Sequence, residues 1–287
     1  MESNDQQISV VLLTYNRVDE LRRSLGKLLA MPEQPPVTVV DNASTDGTAT
    51  TVAQCYGQVR LITLPRNIGG AGRNAGVRLA TTPYVAFCDD DSWWEDGALD
   101  LAVEILDHYP NVAALCGRVL LGADCREDST CAEMAHSPLP AEGLPGPALL
   151  GFIACAVVFR RDAYLEAGGY EARFFIGGEE ELLTLDLAAA GWRIAYVPQL
   201  TVHHHPSPYR DNTARQIIVI RNALWVTWLR LPPASALKET LRIKRRAPSH
   251  QAWRGGLRQA LHELPWVWRN RRMLPPQVAG LLRLLRG

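Results

Sequence analysis

The sequence predicts an α/β fold: a mainly parallel, doubly wound sheet flanked by helices, followed by a C-terminal helical extension. Three observations predict it. Short apolar runs alternate with segments of helical period through the first hundred residues, the pattern of repeated strand–helix–strand units. Polar residues stand at the ends of successive runs, where open sheets of this kind bind ligands. Pro232-Pro233 closes the last long helix of the body and precedes a basic tail.

Ile8–Thr14 (ISVVLLT) is a continuous apolar run of the kind a strand buried on both faces requires. Residues 18–30 place Leu21, Leu25, Leu28 and Leu29 on one helical face. Val37–Val40 reads as a second strand ending in Asp41, and Ser44-Thr45-Asp46-Gly47 leads into a helix. Val59–Leu64 is a third strand and Gly69–Ala80 a glycine-opened helix. Tyr84–Cys88 is a fourth strand, and Glu95–His108 another helix. Residues 122–147, polar and rich in Gly and Pro, are expected to form a surface loop or lid. Beyond them the sequence predicts a strand over Leu149–Phe159, a short helix from Arg161 and a helix over Glu180–Ala190. Strands at Arg193–Val197 and Leu200–His205 follow, then an amphipathic helix over Thr213–Leu231.

This divides the chain into a body, 1–231, with halves at 1–110 and 111–231, and an extension, 232–287. The formal net charge is zero, yet residues 238–287 hold twelve Lys/Arg against two Asp/Glu, leaving the body at −10. The six cysteines are scattered without a CxxC pair, and four lie in or beside apolar runs, where thiols behave as small hydrophobes. The first seven residues carry no basic and apolar leader pattern, and the longest apolar stretch, near Ala148–Phe159, is too short to cross a bilayer. A cytoplasmic setting is the expectation.

Thr14-Tyr15-Asn16-Arg17, Asp41-Asn42-Ala43-Ser44, Arg66-Asn67 and Cys88-Asp89-Asp90-Asp91 each follow a predicted strand. Any one of these could be a helix cap. Four in succession point instead to one ligand-binding edge. Three adjacent carboxylates repel one another, and a hard divalent cation offsets that repulsion, which suits Mg²⁺ or Mn²⁺.

These motifs resemble family-2 glycosyltransferases of the GT-A fold, with a lean toward the rhamnosyl-type enzymes. The resemblance rests on VVLLTYNR (10–17), VVDNASTDG (39–47), RNIGGAGRNAG (66–76) and the Asp89/Asp91 pair. It continues through Phe159-Arg160-Arg161, Gly168-Gly169-Tyr170, residues 174–197 and Arg221-Asn222. It implies an inverting, metal-dependent transferase that moves a sugar from a nucleoside-diphosphate-sugar, UDP- or dTDP-linked, to an acceptor hydroxyl in cell-envelope or exopolysaccharide synthesis. The first half would bind the donor and the second would supply the acceptor site and catalytic base.

Carried onto this sequence, the resemblance gives donor-binding roles to Thr14, Tyr15, Asn16, Arg17, Asp41, Asn67, Gly69, Arg73, Asp89 and Asp90. It gives metal-binding roles to Asp89, Asp91 and His204, with Mn²⁺ or Mg²⁺ as the cation. The general base would be Glu180, where the family usually has Asp, with Glu179 and Glu181 as alternatives in the same run. Helix-dipole stabilisation is a competing account of all three glutamates. Strand alternation separates His204 from His203 and His205. Trp93 and Trp94 follow the acidic triplet where a sugar ring would stack, or they pack in the core.

Two other functions remain open from sequence. A nucleotide-sugar-binding protein without turnover is compatible with Glu180 in place of Asp. A dinucleotide-dependent oxidoreductase is suggested by Gly70-Ala71-Gly72-Arg73-Asn74-Ala75 with Asp89 nineteen positions beyond Gly70. It is weakened by the motif following the third strand, not the first. The tail, with Trp253, Trp266 and Trp268 among arginines, fits peripheral contact with the inner face of a membrane, self-association, or docking on the acidic body. A glycan or lipid-linked acceptor would suit membrane contact. No recognition motif for nucleic acid accompanies the charge.

Overall fold

The structure is a computed structural model that describes residues 6–206 and 213–286. Its core is a ten-stranded mixed sheet. In chain order the body comprises β1 (Ile8–Thr14), α1 (Val18–Leu28), β2 (Val37–Asp41), α2 (Thr48–Cys55), β3 (Arg60–Thr63), a 3₁₀ turn (Gly69–Gly72), α3 (Arg73–Leu79), β4 (Tyr84–Asp89), β5 (Ser92–Trp94) and α4 (Ala98–His108). Then come β6 (Val112–Leu121), β7 (Arg126–Glu127), α5 (Ser129–Ala135), β8 (Ala148–Leu149), a 3₁₀ turn (Ala154–Ala156), β9 (Val157–Arg160), α6 (Arg161–Glu166), α7 (Glu179–Ala189), β10 (Arg193–His204) and α8 (Thr213–Arg230). Four helices end the chain: α9 (Pro233–Arg246), α10 (His250–His262), α11 (Leu264–Arg269) and α12 (Pro276–Arg286).

The strand order is β3-β2-β1-β4-β9-β6-β10-β5, with β7 beside β6 and β8 beside β10. The four expected N-terminal strands pair in parallel, so Thr14, Asp41, Thr63 and Asp89 end on one edge. β9 runs antiparallel between β4 and β6, while β10 is parallel to β6. This is the mainly parallel sheet that the sequence predicts.

Several elements differ from the sequence reading. Val112–Leu121 becomes β6 at the sheet centre, although its Ala-rich, Gly-containing run carries no clear strand period. The strand expected over Leu149–Phe159 is divided into β8, a 3₁₀ turn and β9. The two strands expected at 193–205 form one strand whose pairing to β6 shifts register between Val197 and Thr201. The expected loop 122–147 contains β7 and α5, whose N-cap Asp128 accepts from the Thr130 amide. α4 begins at Ala98, three residues later than expected, because Gly97 in the left-handed region supplies its start.

Two apolar cores organise the chain. The larger lies about the sheet. The second joins Phe174, α7 and α8 to Ala236, Trp253, Val267 and Leu282 of the tail helices and to Leu274 between the last two. The tail is thus docked on the body: Trp253 is buried, and Trp266 meets Trp225 edge-on at 5.3 Å. Arg230 of α8 pairs with Asp186 of α7 at 2.5 Å and reinforces this joint.

α3 crosses the sheet closely because Gly76 has no side chain; a Cβ there would stand 2.5 Å from Val11 Cγ1. Gly76→Ala is therefore expected to lower stability by about 1–3 kcal/mol through overpacking, despite its better helix propensity. The urea midpoint measures this, and an unchanged or raised midpoint would show that α3 has room to withdraw.

Candidate active site

Two loops at the sheet edge are tied together first. Asn16 adopts φ 52° and bridges to the segment after β2: its amide donates to Ser44 Oγ, and its Oδ1 accepts from the Thr45 amide at 2.7 Å. Asp46 accepts from the Val18 and Thr48 amides. Asn16 thus shapes the edge through these loops. Tyr15 is exposed, whereas Thr14 and Asp41 are buried side by side in the β1/β2 register. Asp41 Oδ1 accepts from the Ser44 amide, while Oδ2 is buried with no hydrogen-bond partner among the described residues.

Next to them, Asn67 Oδ1 accepts from the Gly69 amide, and Asn42 holds the same turn through Gly69 O and the Ile68 amide. The Gly70 amide donates to Phe175 O at 2.7 Å. Gly69, at φ 64°, is irreplaceable in this arrangement because a Cβ would overlap the Phe175 carbonyl. A Cβ on Gly70 would lie 2.8 Å from Glu179 Oε1. The segment before α7 therefore sits directly on the glycine turn.

The far side of that segment is held as firmly. Buried Asn222 of α8 donates to Phe174 O, Ile176 O and Gly177 O, and Arg221 donates to Phe174 O. Phe175, Gly177 and Gly178 all have positive φ, and Gly178 leads directly into α7. Glu179, Glu180 and Glu181 form its first turn, where the helix dipole favours acids.

Arg73 joins the two acidic groups. It is 5% exposed, its guanidinium is hydrogen-bonded to Asp89, and its charge acts on both Glu179 and Glu180. Burial opposes the Arg73 charge, but Asp89 beside it holds the group protonated. Asp89 at the end of β4 and Glu179 and Glu180 at the start of α7 are thus brought together about one guanidinium.

The acidic triplet is splayed by its turn. Arg17 Nη1 donates to Asp90 Oδ1 at 2.8 Å and Asp91 Oδ2 at 2.9 Å. Burial pushes the Asp90 carboxyl up to about 7 against the pull of Arg17, with Asp89 and Asp91 adding to the rise. For Asp91, burial is outweighed by His204 and Arg17, which bring it down to about 2 and keep it a carboxylate. His204 Nε2 lies 3.2 Å from Asp91 Oδ1.

That contact follows from β5, a strand the sequence did not announce. It pairs antiparallel with the end of β10, opposing His204 to Ser92 and His203 to Trp93. Alternation then sends His204 inward to Asp91, while Trp93 lies against His203 at 5.6 Å and His205 at 4.9 Å. Trp94 corrects a sequence expectation: at 1% exposure in the main core, with its indole N–H donating to Phe87 O, it cannot stack on a sugar. Side-chain alternation along β5 buries one of two adjacent tryptophans and leaves the other half-exposed.

One residue was missed. Cys155, in the 3₁₀ turn Ala154–Ala156, offers its sulfur within 4.8 Å of ligand atoms of both Asp89 and His204. In the sequence it reads as packing within an apolar run, and the sulfur's direction becomes visible only when that run breaks into a turn. A separate cavity of about 730 Å³, lined by Arg173, Arg221, Trp225, Arg258 and Glu263 among others, includes none of the aspartates of 89–91 or glutamates of 179–181.

A sequence profile described as glycosyl transferase family 2 matches residues 9–167. The chain belongs to this family. It is a glycosyltransferase with the GT-A fold. It is 29% identical over 234 residues to N-acetylglucosaminyl-diphospho-decaprenol L-rhamnosyltransferase of Mycobacterium tuberculosis, covering 69% of this chain and 76% of that protein. An uncharacterized glycosyltransferase of the same organism is 32% identical over 215 residues, covering 69% and 85%. Among solved structures, the Pyrobaculum calidifontis mannosyltransferase PcManGT in complex with GDP-Man and Mn²⁺ superposes with a TM-score of 0.60. It is 20% identical and covers 96% of this chain and 78% of its own. S. aureus TarS 1–349 in complex with UDP-GlcNAc gives 0.63 at 16% identity, covering 96% and 84%.

The family assignment displaces the oxidoreductase reading, and the geometry agrees. The glycine turn that imitates a dinucleotide motif is covered by Phe175 and Glu179.

Burial, reinforced by Glu179, pushes the Glu180 carboxyl up to about 7 from an ordinary 4.5. A raised folded-state pKa means the neutral acid is preferred in the fold. The stabilisation is complete below pH 4.5 and is lost as pH rises through about 7. Glu180→Gln, neutral throughout, should therefore exceed wild type above neutrality by on the order of 1–3 kcal/mol, with the gap closing in acid. Urea unfolding of both proteins at two pH values tests this. A gap that is the same at both would remove the electrostatic explanation.

Proposed function

We propose that this glycosyltransferase is an inverting enzyme that takes its sugar from a nucleoside-diphosphate-sugar, UDP- or dTDP-linked, with Mn²⁺ or Mg²⁺ as cofactor. The observation that carries this reading is the convergence of Asp89 at the end of β4 and of Glu179 and Glu180 at the start of α7 about Arg73. The relatives support the donor class. PcManGT was crystallised with GDP-Man and Mn²⁺, and TarS with UDP-GlcNAc.

The residues present fit a divalent cation. Asp91 is held ionised, His204 lies against it, and Asp89 stands across the same turn. When bound, the cation would neutralise the departing diphosphate as a Lewis acid. Thr14 and Asp41 lie where a nucleobase would be held, and the orphaned Asp41 Oδ2 is an acceptor suited to a base N–H. Arg73 holds Asp89 in place, and Gly69 admits the close approach that brings the acceptor half over the donor half.

Glu180 takes the proton from the acceptor hydroxyl as the oxygen attacks the anomeric carbon opposite the leaving diphosphate, so the configuration inverts. Its raised pKa suits a group that must accept a proton near neutrality. Glu179 keeps an orphaned buried Oε2 and adds the negative charge that raises its neighbour. The extra methylene relative to Asp lengthens the reach of the base and does not change its chemistry.

The acceptor class we infer is a glycan or lipid-linked glycan of envelope or exopolysaccharide synthesis, in line with the diphospho-decaprenol-linked substrate in the name of the mycobacterial relative. Among the described residues no helix is long and apolar enough to cross a membrane. The tail nevertheless exposes Leu237, Leu241, Leu261, Leu264, Trp268 and Met273 among its basic residues. That surface suits peripheral contact with anionic lipid.

Glu180→Gln is expected to lower transfer by roughly 10²–10⁴-fold with donor affinity retained, while Glu179→Gln loses less. Wild-type kcat/KM should rise with pH through about 7 as Glu180 deprotonates. Radiolabelled transfer and calorimetry measure both, and NMR of the product reads the anomeric configuration. A retained configuration, or an active Glu180→Gln, would refute the assignment. For the tail, Trp268→Glu with Leu264→Glu should release the chain from anionic vesicles in flotation. Equal flotation of this variant would exclude that surface as the contact.

A further inference from the structure

Four of the six cysteines are buried, and three of these have evident partners. Cys88 donates to Ser92 O at 2.9 Å, Cys116 lies 3.6 Å from Met134 Sδ, and Cys131 accepts from the Val119 amide. Cys155 differs. It is 2% exposed, it makes no hydrogen bond among the described residues, and its sulfur shares a space with Asp89 and His204, all three ligand atoms lying within 4.8 Å of one another. Its 3₁₀ turn packs against β4, β6 and β10, which fixes the sulfur at the end of the strands that carry Asp89 and His204.

A carboxylate, an imidazole and a thiol are a different donor set from the oxygen-rich one that Mg²⁺ or Mn²⁺ favours. Mixed N, O and S donors select Zn²⁺ and similar thiophilic ions, which bind about three or four ligands in a tetrahedron. Ligand atoms in such a shell stand about 3.5 Å apart, so the observed spacing closes with small side-chain rotations.

We propose that Asp89, Cys155 and His204 give the cation site a second mode, in which a thiophilic divalent ion such as Zn²⁺ is captured and excludes the hard ion used for transfer. The inference rests on the cation site of the preceding section and adds Cys155 to it. In the capture step the S–H bond breaks, a sulfur–metal bond forms, and the proton passes to solvent; no electron changes hands. This mode makes the enzyme sensitive to zinc, whereas a site with alanine at position 155 would be indifferent to it.

Co²⁺ is the probe. With the full chain, one equivalent should produce a near-ultraviolet thiolate-to-cobalt charge-transfer band. The band should vanish in Cys155→Ser and Cys155→Ala, each checked for fold by circular dichroism. It should persist in Cys125→Ser, whose sulfur lies 4.0 Å from His203 on the other face of the strand. In competition with a chromophoric chelator, Zn²⁺ affinity should fall by roughly 10–100-fold in Cys155→Ser, while Mn²⁺ affinity by electron paramagnetic resonance stays within about threefold. A wild-type protein without the band, or a band surviving in both Cys155 variants, overturns the proposal. Loss of sugar transfer with the band intact would instead count against the functional reading alone.

Discussion

The contact on which the rest depends is the seating of Phe175 on Gly69 and Gly70. The two halves of the molecule are built from different elements, and here backbone of one meets backbone of the other beside the glutamate turn. No side chain fits between them, and the Gly70 amide is satisfied by the Phe175 carbonyl. The φ of 64° at Phe175 is an unfavourable local conformation, whereas Gly177 and Gly178 adopt positive φ without strain. It persists because Asn222 ties three carbonyls of the same segment from the other side. The glutamate turn is thus clamped between α8 and the glycine turn.

With the turn fixed, Arg73 decides the electrostatics. A buried guanidinium would be costly alone, and a cleft holding Asp89, Glu179 and Glu180 would be costly without a cation. Each offsets the other. Around this pair the protons are unevenly distributed: His204 and Arg17 outweigh burial and bring Asp91 down to about 2, while burial and Glu179 push Glu180 up to about 7 against the pull of Arg73. Two carboxyl groups of similar intrinsic strength are set apart by environment, which suits the ligand and base roles proposed for them.

The parallel half was readable because each strand is a short apolar run ending in a polar motif, and each helix has a clear period. Thr14, Asp41, Asp89 and Arg73 fall at the edge where that pattern put them. What the sequence concealed has specific causes. β5 is three residues long and its only signal, Ser92-Trp93-Trp94, is shared with a loop. β6 is rich in alanine and interrupted by Gly117, so tertiary pairing decides its state. Cys155 and Trp94 point where composition gives no sign: the thiol is turned toward Asp89 and His204 by a 3₁₀ turn, and the indole into the core by alternation along β5. The tail's composition suits membrane contact, self-association or docking on the body alike, and the structure shows the docking. The tail's tryptophans divide between a buried core residue, Trp253, a partly buried one, Trp266, that meets Trp225 edge-on, and the exposed Trp268.

The pairing of β5 with the end of β10 has a consequence for how this chain can tolerate changes in length. Neighbouring positions on a strand point to opposite sides, so adding or deleting one residue between Thr201 and His204 would turn a different imidazole toward Asp91 and carry the original one over to Trp93. A two-residue change would preserve the facing. Three consecutive histidines soften that parity rule, because either shift still delivers an imidazole to the carboxylate. The His203-His204-His205 run would therefore keep an imidazole beside Asp91 through a one-residue slip at this strand end.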